Sequence, residues 1–167
     1  MFEARISALA RAQELIADNP ENPADLRRFL DAVLEPFGAR FKISGAPTGV
    51  PREISATLAL LFHELGTNAA KYGALSVPTG EVTVCWDLEQ DHVRLNWKET
   101  NGPLVGTPSR TGFGSRLLKT AFPQHLGEAS MTFESDGVRC QIRFAAAPAD
   151  RRSFMQWVRS SAAAHGV

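Results

Sequence analysis

Neither sign of charge is in excess: Lys and Arg together number 18, as do Asp and Glu. No long-range field therefore draws nucleic acid or an anionic membrane surface, although a local phosphate site is not excluded. Cysteine is scarce. Cys85 and Cys140 form no CxxC pair and have no histidine at metal-ligand spacing. Each lies in a run of alternating apolar residues, the setting of a reduced core thiol. No apolar window approaches the length that crosses a bilayer, and Glu3 and Arg5 stand where a cleavable leader needs an apolar stretch. A cytoplasmic domain without direct membrane contact is expected. No glycine-rich run ends in Gly-Lys-Ser/Thr and no GxGxxG follows a strand pattern, so neither a P-loop nor a dinucleotide fingerprint is present. Internal repeats and low-complexity tracts are also missing. What remains is 167 residues, 44% apolar, enough for one main hydrophobic core.

Phe2, Ile6, Leu9, Gln13 and Ile16 recur at alternating spacings of four and three, a heptad seam with one polar member. Residues 2–17 are thus either a pairing helix or an amphipathic helix folded onto its own domain, because so short a run fits both. Asn22-Pro23 predicts a cap and first-turn proline for a helix carrying Leu26, Phe29, Leu30, Val33 and Leu34 up to Pro36. Phe41 and Ile43 alternate in a short strand. After a turn-rich link from Gly45 to Pro51, the residues Leu58, Leu61, Phe62, Leu65, Ala69 and Tyr72 form an apolar arc at helical period. They predict a long helix from about Ile54 to Tyr72, stopped at Gly73.

Val82, Val84, Trp86 and Leu88, then Val93, Leu95 and Trp97, alternate with polar residues and predict half-buried strands joined by a short hairpin. Residues 101–114 are rich in Gly and Pro and have no period, a loop long enough to need a function. Leu117, Leu118, Ala121 and Phe122 suggest a short helix. A last hairpin carries Met131 and Phe133, then Val138, Cys140, Ile142 and Phe144, around a turn at Asp136-Gly137. Helices first, then strands with one inserted helix, predict a two-layer α/β sandwich: a mixed, mostly antiparallel sheet with helices on one face.

Chemistry concentrates beside the apolar arc of the long helix. Glu64, Thr67, Asn68 and Lys71 are related by i+3, i+4 and i+7 and share one stripe. A hard cation such as Mg²⁺ wants oxygen ligands and keeps several waters, so the Asn68 amide oxygen can bind it while Glu64 holds a coordinated water. Lys71 would then meet phosphate charge. The bland alternative is a solvated helix face. His63, next to the stripe, either orients Glu64 or packs as a neutral core imidazole. Glu99 continues the inward parity of Val93, Leu95 and Trp97, and a buried carboxylate is costly unless something hydrogen-bonds to it. A purine amino group is one such partner, with Asn101 and Gly102 letting backbone approach a base; a wet, frayed strand end is the other reading. Trp86 and Trp97 read as core. Gly112-Phe113-Gly114-Ser115 opens the short helix, where free N–H groups and the helix dipole favour an anion.

In this order the segments resemble the ATP-binding domain of the HWE family of sensor histidine kinases, within the GHKL ATPase superfamily, over about residues 2–145. His63-Glu64-Leu65, Thr67-Asn68-Ala69 and Lys71-Tyr72-Gly73-Ala74-Leu75-Ser76 are similar to the family's N-box, and Trp97-Lys98-Glu99 to its Trp-x-Glu, with Gly102-Pro103 following. Gly112-Phe113-Gly114-Ser115 is similar to the second glycine box. The resemblance implies that ATP and Mg²⁺ lie between the long helix and the glycine-bearing loop. Asn68 is then the Mg²⁺ ligand, Glu64 assists as base or water-positioner, Lys71 and Tyr72 approach the phosphates, and Glu99 takes the adenine-recognition place. The γ-phosphoryl group passes to a histidine nitrogen for relay to a response-regulator receiver domain.

Two departures stand out. The helix that carries the family's phosphoacceptor histidine is missing, so residues 1–20 resemble the second helix of a dimerisation hairpin, ahead of a catalytic domain at 21–147 and a tail helix at 148–167. Either the chain is a piece of a longer, homodimeric kinase or it serves an acceptor histidine in trans. Asn101 also stands where the family commonly has glycine. Two rival readings remain. One is a nucleotide-binding-deficient docking or dimerisation module of the same fold, against which the joint presence of Glu64, Asn68 and Lys71 argues. The other is an anti-sigma type Ser/Thr kinase, which fits Trp-x-Glu less well.

Overall fold

In the computed structural model, which describes residues 2–17, 23–104 and 127–147, the alternating runs form one five-stranded sheet. In chain order the elements are helix α1 (Phe2–Ala17), strand β1 (Ala24–Asp25), helix α2 (Leu26–Leu34), strands β2 (Phe41–Gly45) and β3 (Gly49–Val50), and helix α3 (Arg52–Lys71). Strands β4 (Glu81–Glu89), β5 (His92–Thr100), β6 (Gly127–Glu134) and β7 (Gly137–Ala145) follow. Short 3-10 turns at Glu35–Phe37 and Ala74–Ser76 succeed α2 and α3. The sheet order is β2-β4-β5-β7-β6, with β2 parallel to β4 and every other pair antiparallel. β1 and β3 form a separate antiparallel ladder.

The period-two pattern sends Val82, Val84, Trp86, Val93, Leu95, Trp97, Cys140, Ile142 and Phe144 to one face. There they share a core with Leu26, Phe29, Leu30 and Val33 of α2 and Leu58, Leu61, Phe62 and Leu65 of α3. The opposite face presents Arg94, Gln141 and Arg143 to solvent, as in antiparallel sheets covered on one side. This is the two-layer arrangement expected from the sequence. Trp86 meets its polar need by donating Nε1–H to the Ala46 carbonyl at 2.7 Å.

Several local expectations are corrected. Asp25 rather than Asn22 caps α2, its carboxylate accepting the Arg28 N–H at 3.1 Å. Pairing of Ala24-Asp25 with Gly49-Val50 keeps these residues extended, so the helix begins only at Leu26. Where α1 meets α2 and α3, Ala8 and Ala12 are buried, 5% and 1% exposed, while Leu9 of the heptad seam is half-buried. Ile6 is 51% exposed and Gln13 is exposed. Small side chains let the helices approach closely, and Arg11 fastens the contact through the Ala32 carbonyl at 3.4 Å and Glu35 Oε2 at 2.6 Å. Cys140 is a core thiol, its pKa pushed up to about 12 by burial. Cys85 is free but only half-buried, because its parity faces away from the core. Leu88 and Phe133, read as inward, are 38% and 45% exposed at the hairpin end of β4 and on the edge strand β6. No helix among the described residues is long and apolar enough to cross a membrane.

Candidate functional site

The middle of α3 is buried almost all round: Leu58, Ala59, Leu61, Phe62, His63, Glu64, Leu65 and Gly66 are all inside. The last turns are different. Seven residues on, close to two full turns, Leu61 at 1% exposure gives way to exposed Asn68, and Leu65 at 2% to Tyr72 at 75%. One side of the same rod is therefore hydrophobic core at one level and open at the next. The polar stripe climbs along it, from Glu64 at 7% exposure through half-buried Thr67 to exposed Asn68 and Lys71.

Tyr72 was expected in the apolar arc and is not there. It is the C-cap residue, with φ −133° and ψ −19°, so the chain leaves the helical path and carries its ring outward. The exit is well satisfied: Tyr72 N–H donates to the Asn68 carbonyl at 2.8 Å, and Gly73 N–H to those of Asn68 and Ala69 at 3.0 and 3.1 Å. His63 is buried with its ring edge-on to Phe37, centroids 5.3 Å apart.

Glu99 lies at the end of β5 and is only 2% exposed, which rules out the wet, frayed strand end. Its Oε2 accepts the Ala74 N–H at 2.9 Å, and its Oε1 accepts the indole N–H of Trp97 at 3.3 Å. Trp-x-Glu thus has a physical meaning: residues two apart on a strand share a face, so the indole reaches the carboxylate. Burial pushes the Glu99 pKa up, opposed by the Ala74 and Trp97 hydrogen bonds. A carboxyl with its pKa raised in the fold favours the folded state while protonated, and that contribution fades as pH rises through the folded value. Relative to Glu99→Gln, the parent should lose stability from about pH 4.5, the ordinary Glu value, upward. Urea midpoints of the two proteins across pH would show it, and a gap that widened in the parent's favour with pH would contradict it.

The helix exit and the strand exit meet around Ala74. A Cβ on Gly73 would lie 2.0 Å from Glu99 Oε2, and one on Gly102 2.7 Å from the Ala74 Cα, so neither position admits a side chain without movement. Asn101 adopts φ +58°, in the left-handed region that glycine enters freely and asparagine tolerates. The backbone this position requires is therefore kept. Thr79 Oγ1 donates to the Asn101 carbonyl at 3.2 Å.

Of the residues singled out in the sequence, the structure joins two groups: Glu64, Asn68, Lys71 and Tyr72 along the end of α3, and Glu99, Asn101 and Gly102 at the end of β5. Gly73 and Ala74 connect them. Gly112, Phe113, Gly114 and Ser115, and the short helix expected after them, lie outside the described residues, as does the tail at 148–167. Ala74 and the donor role of Trp97 were not anticipated. The i, i+2 spacing of Trp97 and Glu99 was the available signal for the second; a backbone amide gives none.

A family model described as HWE histidine kinase matches residues 1–47, ahead of α3 and of both groups. The blue-light-activated histidine kinase of Brucella ovis is 31% identical over 154 residues, 87% of this chain and 29% of its own. This chain is similar to the HWE histidine kinases. It spans about 29% of the length of that curated relative. Among solved structures, the histidine kinase domain of the Erythrobacter litoralis EL346 blue-light activated histidine kinase has the same fold. Its TM-score is 0.66 at 20% identity, over 86% of this chain and 73% of that one. Histidine kinase ThkA, solved in complex with the response regulator protein TrrA, matches with a TM-score of 0.51 at 14% identity, over 87% of this chain and 49% of that one. The mixed sheet carrying α3 is thus the catalytic-domain fold of histidine kinases.

Proposed function

We propose that this chain is the ATP-binding catalytic domain of a two-component sensor histidine kinase, which moves the γ-phosphoryl group of ATP to a histidine nitrogen for relay to a response regulator. The observation that carries this reading is the convergence of the open, polar end of α3 with a buried and doubly hydrogen-bonded Glu99. A structural helix has no need of either.

The residues fit Mg²⁺ as a nucleotide companion. Among the described residues no three of His, Cys, Asp and Glu group to hold a metal, which suits a cation held largely by phosphates and waters. Asn68 would supply its exposed amide oxygen, and Glu64, one turn earlier and buried, would order a coordinated water. When bound, the ion neutralises phosphate charge. Lys71 and Tyr72, both exposed on the last turn, approach the phosphates. Glu64 acts as base or water-positioner, and His63 orients it. Glu99 accepts from the adenine amino group, held for that task by Ala74 and Trp97, while Asn101 and Gly102 bring backbone to the base. Gly112, Phe113, Gly114 and Ser115 offer N–H groups to phosphate. Catalysis here is positioning and charge neutralisation.

The phosphoacceptor histidine lies in cis in a longer protein or on a partner in trans, and α1 belongs to a dimerisation hairpin of a cytoplasmic homodimer. ThkA with its bound regulator supports a receiver domain as the downstream partner. Titration calorimetry should give saturable heat with ATP in Mg²⁺ and little in chelator. No heat with ATP in Mg²⁺ would replace the kinase by a docking module of the same fold. With radiolabelled ATP the chain alone should stay unlabelled, while a supplied acceptor hairpin gains acid-labile label. Such label on His63, His92, His125 or His165 of the chain alone would contradict this.

A further inference from the structure

Arg40 belongs to none of the motifs above, yet it makes three hydrogen bonds to the segment that aims Glu99. Its carbonyl accepts the Val82 N–H at 3.0 Å, which fixes its backbone where β2 joins β4. Its guanidinium then reaches three carbonyls of the turn between α3 and β4. Nη1 donates to Val77 and, at 2.9 Å, to Gly80; Nη2 donates to Leu75 at 2.7 Å. A planar fork with five donors suits such a set, whereas one ammonium is a single compact point. The turn it holds is closed on itself: a Cβ on Gly80 would lie 1.8 Å from the Ala74 carbonyl oxygen. Displacing the carbonyls of 75–80 therefore displaces Ala74, whose N–H is one of the two donors on Glu99.

We infer that Arg40 is a positioning residue for base recognition, acting through the Ala74–Gly80 turn on the direction of the Glu99 carboxylate. This rests on the nucleotide reading above. A carboxylate held in place accepts from a 6-amino purine and repels a 6-oxo purine, so its orientation sets a preference as well as an affinity. Among the described residues Arg40 hydrogen-bonds to none of those assigned to the phosphates or the metal, so its loss should weaken the base side alone.

The test uses the full chain with Arg40→Met and Arg40→Lys, and Lys42→Met as control, since Lys42 pairs, among the described residues, with Glu81 at 2.8 Å and not with the Ala74–Gly80 turn. Dissociation constants are measured for ATP and inosine triphosphate in Mg²⁺. Both Arg40 variants should weaken ATP about fivefold with little change for inosine triphosphate, so the preference falls, while Lys42→Met keeps it. Equal weakening of both nucleotides would mean a merely structural role and overturn the inference. A nucleotide-free readout accompanies this: the Trp97 indole and Ala74 amide proton resonances should shift in both variants. Unmoved resonances would overturn the inference even if Arg40→Met folds poorly, because Arg40→Lys retains the charge and the stem. A parent that binds no ATP would sink the kinase reading itself, whereas a parent that binds with an unchanged preference in the variants would sink only the role of Arg40.

Discussion

Glu99→Leu should destabilise the protein by about 1–3 kcal/mol at neutral pH and abolish its preference for ATP. The size follows from two opposing effects. Leucine removes a buried carboxylate that has no cationic partner among its hydrogen-bond contacts, which is favourable. It also leaves the Ala74 N–H and the Trp97 indole N–H without their acceptor in a dry site, at roughly 1–3 kcal/mol for each unsatisfied group. Two orphaned donors outweigh one relieved charge that already accepts both. Glu99→Gln should fall between, because its amide oxygen serves one donor while its NH₂ faces the other. Urea denaturation should therefore rank parent, Gln, Leu in falling stability at pH 7. A leucine variant as stable as the parent would show that the carboxylate is not the acceptor joining the helix exit to the strand.

Asn68→Ala should produce the reverse profile, a large functional loss with little structural one. Its side chain is exposed, and surface substitutions away from special features usually change stability by less than about 0.5 kcal/mol. If its amide oxygen binds the metal, Mg²⁺-dependent ATP affinity should drop at least ~10-fold, about 1.4 kcal/mol, and transfer to an acceptor hairpin should fall with it. Calorimetry in Mg²⁺ and in chelator separates the two contributions: the variant should resemble the parent in chelator. Undiminished Mg²⁺-dependent binding would remove Asn68 from the metal site.

Much of this was legible in residues whose periodicity has one solution. The parity of Val93, Leu95, Trp97 and Glu99 placed Glu99 inside because successive strand side chains alternate without exception over so short a run. The arc of α3 was legible through Ala69 and failed at Tyr72, where the cap geometry, unlike the helical period, decides direction. Arg40 was invisible because its partners are backbone carbonyls, which leave no mark in side-chain spacing. On α1 the buried contacts include Ala8 and Ala12, which contribute little to hydrophobic pattern and so gave no signal of their own. Asn22-Pro23 is a sound capping signal, overruled by a strand pair whose partner is distant in sequence.

The parallel pairing of β2 with β4 gives this molecule a particular kind of unity. Two strands running the same way cannot be joined by a tight turn, and the connection between them includes the whole of α3. The helix bearing the polar stripe thus lies within the crossover that brings the sheet's β2 margin beside β4.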